Sequence, residues 1–383
     1  MGQIFCSTLD SATFRRFPMD EAKQSLGSLH VLILASLREH TGNSVTASRL
    51  AAGIGAARCS CIDVSAFADA DALRRHIQDD GVGMVLGIHA YRSGRLVAGC
   101  GVPYAIVLGG TDMNEQMKQP DKRAVMEAAL QGAGAIVAFT QELLTTLLIA
   151  LPSIRSKAHL VPQAIRTCVP ARSLAADLAG DGTPSRTEEE AAVLEQLDVR
   201  SGERLFLLPA GLRPVKDVLF AAAAVAEWHS RGSNAVIRIV GPELDGAYTE
   251  SVRRALAALE PPRAVTWAGA LPQRGLHLAM RAACAVLNTS ASEGMCNSIL
   301  EAFALGTPVL ARRNTGNAAL VADGETGLLF DTPEELVARA QQLLSESELR
   351  GRLAARALAL VALEHSASKE AKEYTTILQG ILL

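Results

Sequence analysis

The chain alternates twice between short, continuous apolar runs and amphipathic stretches, and this rhythm breaks once near the middle. The first series starts with LHVLILAS at 29–36 and continues at 83–88, 102–108, 135–139 and 158–161. Runs this short, and apolar throughout, belong to strands buried on both faces. Helical stretches at 44–57, 121–131 and 141–149 lie between them. Such alternation predicts a parallel sheet with helices on both sides. Residues 170–186, with Gly180, Asp181, Gly182 and Pro184, read as a loop or linker. Thr187 and Glu190 then form a T-x-x-E capping box that opens a new helix. A second series follows, with strands expected at 204–208, 235–240, 264–268, 285–288 and 308–311. The fold class is α/β, with two Rossmann-like, doubly wound domains over 29–170 and 187–365. Residues 1–28 form an extension, 171–186 a linker, and 366–383 a helix expected to pack back across the junction. In open parallel sheets ligands sit beyond the carboxyl ends of the strands, so the segments after Leu208, Ala268 and Asn288 become the places to search.

Composition narrows the function. The chain has 383 residues, too many for one ordinary domain at roughly 150 each. With 37 basic and 40 acidic residues the net charge is −3, and no basic tail or stripe suits a nucleic acid or an anionic membrane. The longest apolar stretches, 143–151 and 278–287, are interrupted and fall short of the roughly 18 residues a spanning helix needs. Seven scattered cysteines without a CxxC pair argue against a disulfide framework or a structural zinc, and a cytoplasmic, reducing setting is expected. The start, MGQIFCS, departs from a myristoylation signal at Cys6, where that signal wants Ser or Thr. No apolar segment of the secretory kind follows it. Residues 1–28 are expected to be weakly structured.

The strongest constellation is NTSASEGMCNSILEAFALGTPVLA, residues 288–311. A strand ends, a loop carries Glu293 and Gly294, a helix begins near Asn297, and Glu301 follows eight residues after Glu293. Gly294 permits close backbone approach, and a helix N-terminus favours anions. Two carboxylates beside a phosphate-friendly cradle make sense as acceptors for sugar hydroxyls on either side of a diphosphate. Ser298-x-x-Glu301 also reads as a simple capping box. The second constellation, LPAGLRPVKDVLF at 208–220, sets Arg213 and Lys216 at a strand's carboxyl end. Asp217 is expected to cap the next helix. Two cations there can clamp a diphosphate, or can simply be a solvated basic turn. Asp69-Ala70-Asp71 matches a metal-binding DxD, but two acids also suit the start of the helix that follows. Gly53-x-Gly55 lacks the third glycine of a dinucleotide fingerprint, and no HExxH, GxSxG or EF-hand loop is present.

These segments resemble the family 4 glycosyltransferases, which have the GT-B fold of two Rossmann-like domains around a cleft. Residues 288–311 resemble the E-x7-E signature, LRPVKD the Arg/Lys diphosphate clamp, and DGETGLLF at 323–330 a further hallmark. HTGNSVTASR (40–49), HAYRSGRL (89–96) and LGGTDMNE (108–115) are similar to one subgroup. The likeness runs from about residue 29 to the C-terminal helix. It implies that Glu301 holds the ribose of a nucleotide donor and that Glu293 contacts the donor sugar with backbone groups of Gly294, Met295 and Cys296. Arg213 and Lys216 would bind the diphosphate. Gly269 to Leu271 would lie beside the base, and Gly42 and Asn43 would face the diphosphate and acceptor from the first domain.

One departure concerns the loop Gly109-Gly110-Thr111-Asp112, where many relatives carry a histidine. Asp112 is the nearest candidate to orient an acceptor or act as base, unless it is a turn cap. His89 is a second candidate for contact with the ligand. The GTD loop and LRxxKD segment are also similar to those of bacterial selenosugar synthases, which keeps an unusual acceptor such as selenophosphate open. The resemblance implies a metal-independent, retaining glycosyltransferase that uses a nucleotide-diphosphate sugar as substrate and needs no cofactor. Its acceptor is unknown. The rivals are an inactive nucleotide-sugar-binding regulator and a nucleotide-sugar epimerase.

Overall fold

A computed structural model describes residues 25–37, 42–173 and 186–383. The first sheet holds β1 (His30–Ala35), β2 (Arg58–Asp63), β3 (Met84–Ile88), β4 (Tyr104–Val107), β5 (Ala135–Ala138) and β6 (Ala158–Leu160). The second holds β7 (Arg204–Pro209), β8 (Ala235–Val240), β9 (Val265–Trp267), β10 (Ala285–Asn288), β11 (Val309–Arg312) and β12 (Leu328–Phe330). The orders are β2-β1-β3-β4-β5-β6 and β12-β11-β10-β7-β8-β9, with every pairing parallel. Each domain is doubly wound, as the alternation predicts.

Two strands escaped the sequence reading. β2 is an edge strand with the pattern RCSCID, whose polar alternation gives no continuous apolar run. β12 is three residues long and hides inside DGETGLLF. The other strands fall where the apolar runs placed them; the central ones do so because their side chains are consumed on both faces, while the edge strands β6 and β9 are only partly buried. Leu32 and Leu34 enter one core cluster while Val31 and Ile33 enter the other. In the second sheet Leu205 and Leu207 part in the same way from Phe206 and Leu208.

The capping box at Thr187 and Glu190 forms and starts the helix Glu188–Gln196. Asp69 caps the helix Ala70–Asp79 by accepting from the Ala72 N–H, and Asp71 pairs with Arg74 on that helix. The DxD is thus a helix start. The six described cysteines are free. Among the described residues no helix is long and apolar enough to cross a membrane. The segment around Gly2 and Cys6 and most of the linker lie outside the described residues. The last turn of the supposed extension, Leu26–Ser28, is ordered 3-10 helix, and Leu26 is buried.

The C-terminal helix Ala367–Ile381 returns to the first domain. Tyr374 and Leu378 enter the core cluster of β1, β3, β4 and β5. Glu370 secures it. Its carboxylate accepts from Arg49 Nε at 2.7 Å and Nη2 at 3.0 Å, and from the Ala164 N–H at 2.9 Å. Where the chain crosses out and back, the His365 ring donates from Nδ1 to the Gln163 carbonyl and the Ile165 N–H donates to the His365 carbonyl.

Glu370 and Arg49 are both buried, so losing one partner strands the other. Glu370→Ala is expected to destabilise the fold by about 3–5 kcal/mol, and the double change Arg49→Met with Glu370→Leu by much less. Chemical denaturation of the three chains checks both.

Candidate active site

The carboxyl ends of both sheets border one cleft of about 580 Å³, within the range of small-ligand sites. Its second-domain wall grows from the end of β10. Three donors converge on Glu293 Oε1: Lys216 Nζ at 2.5 Å, Ser290 Oγ at 2.7 Å and Asn288 Nδ2 at 3.2 Å. Asn288 is held in turn by the fully buried Asn317, which donates to its Oδ1 at 2.9 Å. Glu293 Oε2 receives no donor among the described residues. Burial would raise the Glu293 carboxyl, but the Lys216 charge and these hydrogen bonds hold it below the usual glutamate value. Burial would likewise lower Lys216, and the Glu293 carboxylate instead holds its ammonium above the usual lysine value.

The helix Asn297–Ala304 begins behind this loop, with Gly294, Met295 and Cys296 leading into it along the cleft wall. Its N-cap is Cys296 without a side-chain cap bond, so the Ser298-x-x-Glu301 box is not formed. Glu301 is buried and lines the cleft, and its Oε1 accepts from Gln273 Nε2 at 2.9 Å. Arg213 is exposed on the same wall, ahead of the 3-10 turn Pro214–Lys216. Asp217 does not cap the following helix. It ends that turn in the left-handed region (φ 41°), and its carboxylate takes Arg312 Nη1 at 2.9 Å. Leu271 lines the cleft, whereas Gly269 lies outside the lining and turns the chain at φ 76°.

The first-domain wall carries Gly42, Asn43, His89, Gly110 and Thr111. Asp112 stands behind it, with no exposed surface. Its Oδ2 accepts from the N–H groups of Ala90 at 2.6 Å and Gly109 at 2.8 Å, and its Oδ1 from that of Tyr91 at 3.1 Å. His89 Nδ1 lies 2.6 Å from Oδ1. This corrects the expectation for Asp112. A carboxylate enclosed by three amides and an imidazole does not reach the cleft, and the cleft-facing group is His89. A carboxylate only accepts, so Nδ1 carries a ring proton, and Nε2 lies 2.6 Å from the Thr111 hydroxyl. His89 has φ 78°, a strained value for a residue with a side chain.

The walls touch. A Cβ on Gly110 would come within 2.6 Å of the Gly294 backbone, so only glycines allow the two loops to meet. Beside them Asn114 Nδ2 donates to Ser292 Oγ at 2.9 Å.

A family model for group 1 glycosyl transferases matches residues 190–359. Glycosyltransferase 1 domain-containing protein 1 of Xenopus tropicalis is 34% identical over 357 residues, spanning 92% of this chain and 98% of that protein. The chain belongs to the group 1 glycosyltransferases. A D-inositol 3-phosphate glycosyltransferase of Acidothermus cellulolyticus is 40% identical over 126 residues, 31% of this chain and 28% of that protein. The crystal structure of Anabaena HepE in complex with UDP and glucose matches with a TM-score of 0.75 at 15% identity, covering 91% of this chain and 99% of that one. The fold is GT-B.

Within this glycosyltransferase, sequence reasoning missed Asn288, Ser290, Asn317, Gln273 and His277, all of which support the two cleft carboxylates. Asn288 and Ser290 stood inside the quoted segment, and a polar residue ending an apolar strand was a usable signal. Asn317, Gln273 and His277 sit on other helices and gave no local sign.

The Glu293 shift has a pH consequence. A lowered carboxyl contributes stability above its ordinary value of 4.5, and that contribution is lost as pH falls through the depressed native value. The raised Lys216 keeps its share until pH climbs past 10.5. Thermal unfolding of the wild type should therefore show a larger acid loss below pH 4.5 than Glu293→Gln, which keeps only the share of the other lowered carboxylates.

Proposed function

We propose that this glycosyltransferase moves a sugar from a nucleotide-diphosphate donor to an acceptor, with retention and without a metal. The observation that carries the reading is the pair of cleft carboxylates, Glu293 and Glu301, flanking a helix N-terminus with Lys216 and Arg213 beside it. The UDP and glucose bound by Anabaena HepE on the same fold support a nucleotide sugar as donor.

In this reading Glu301 accepts from the ribose hydroxyls and Glu293 Oε2 from the donor sugar. The diphosphate lies against the N–H groups at Gly294, Met295 and Cys296, a natural anion site. Arg213 and Lys216 offset the charge that builds on the leaving diphosphate, which is electrostatic catalysis by groups already in place. Lys216 is shared between Glu293 and the phosphate, so it links sugar and leaving group. His89, its ring fixed by Asp112, offers Nε2 to a hydroxyl of the sugar or the acceptor that displaces the Thr111 hydroxyl from it. Asp112 is then a positioning residue for His89. An acceptor attacking from the face the diphosphate leaves gives retention.

A thermal-shift screen against nucleotide-diphosphate sugars, followed by mass analysis of products with candidate acceptors, tests the reading. A donor that binds and is never consumed would favour a regulator, and an isomerised donor without acceptor an epimerase. Glu301→Ala should weaken donor binding by about 1.5–3 kcal/mol by calorimetry, the range for a hydrogen bond to a charged group. Transfer should also survive EDTA, because two cations occupy the place a metal would serve. Loss on chelation with recovery on adding magnesium or manganese would overturn the metal-free mechanism.

A further inference from the structure

Glu301 has a support that the transfer reaction as described leaves unused. His277 is fully buried on the helix Gln273–Ala282, one turn beyond Gln273, so both side chains rise from one helix face. Its Nδ1 accepts from the Cys168 backbone N–H at 2.9 Å. Nε2 lies 2.8 Å from the Gln273 amide nitrogen and 3.6 Å from Glu301 Oε1. Gln273 Nε2 donates to Glu301 Oε1 at 2.9 Å, and at 3.6 Å His277 Nε2 stands beyond hydrogen-bond distance of that oxygen. One donor is therefore bonded to that oxygen, and the buried His277 ring packs behind the donor's amide. Glu293 shows the same device at the other end of the cleft, with three donors on Oε1.

We propose that Gln273 and His277 are positioning residues for the nucleotide. Gln273, backed by the buried His277 ring, pins Oε1 of Glu301, which fixes the carboxylate's rotamer and turns Oε2 toward the ribose hydroxyls. Through the Cys168 amide they also couple the ribose site to the segment that leaves the first domain. Arg274 reinforces that coupling from the same helix, because its Nη1 donates to the Cys168 carbonyl at 3.1 Å. The inference rests on the reading of Glu301 as the ribose ligand. It adds that nucleotide affinity depends on the fully buried His277, outside the cleft lining, as well as on Gln273 within it.

The test is calorimetric titration of the full chain. The probes are whichever of UDP, GDP and ADP binds the wild type most tightly, and the 2′,3′-dideoxy form of the same nucleotide. Gln273 is exposed, so Gln273→Leu should fold. His277→Gln is the second variant, and Glu301→Ala is the control. Gln273→Leu should weaken the ribonucleotide about three- to tenfold, the size of one net hydrogen bond, and leave the dideoxy form nearly unchanged. A purely structural role would weaken both probes alike, and that outcome, or an unaltered ribonucleotide affinity in Gln273→Leu, overturns the inference. If Glu301→Ala itself fails to discriminate the two probes, the ribose reading fails and this inference falls with it.

Discussion

Glu370 is a carboxylate with almost no access to water, and it is satisfied from two directions at once. Arg49 reaches it from the first helix of the first domain, and the Ala164 amide from the crossing segment. A buried ion pair of this kind adds little net stability over a well-packed apolar substitute, and its value lies in the one arrangement it allows. Here that arrangement docks the last helix of the chain, which follows the second domain in sequence, onto the core of the first. The crossing and return strands of chain are stitched together at Gln163, Ile165 and His365. This docking and the loop contacts at Gly110 and Asn114 together hold the carboxyl ends of the two sheets on one cleft.

Within the cleft the chain handles carboxylates in a consistent way. Glu293 and Glu301 each receive the protein's donors on a single oxygen. At Glu293 this arrangement keeps the acid charged although it is largely shielded from water, and in both it leaves the second oxygen without a donor among the described residues. Asp112 is treated differently. Both of its oxygens are spent on amides and on His89, so its charge orients an imidazole and goes no further.

Much of the fold was legible because burial on both faces leaves an apolar run that composition cannot disguise. β2 was not, since an edge strand with RCSCID buries only part of its surface, and β12 was too short to register. The local motifs of the site were legible for the same kind of reason. Glu293, Gly294 and Glu301 are placed by one strand end and one helix start, so sequence spacing translates directly into geometry. Reasoning failed where the answer lay across the chain. Asp217 looked like a helix cap until Arg312, from a different strand, claimed it. Asp112 and His89 are 23 residues apart, and no spacing rule says which of the two faces the cleft. Gln273 and His277 share a helix with ordinary amphipathic character, and only the distance to Glu301 sets them apart.

The strained and tightly constrained positions gather on the cleft walls. His89 sits at φ 78°, and Gly110 meets Gly294 so closely that neither loop tolerates a side chain there. A strained backbone costs roughly 1–3 kcal/mol and persists only where the surroundings over-determine it. At His89 the surroundings are Asp112, whose carboxylate holds both the ring and the amides of Ala90 and Tyr91 that follow it. One buried charge thus stabilises the strained turn and aims the imidazole that the turn presents. Removing it would release both together, which makes Asp112 important without requiring it to meet a substrate.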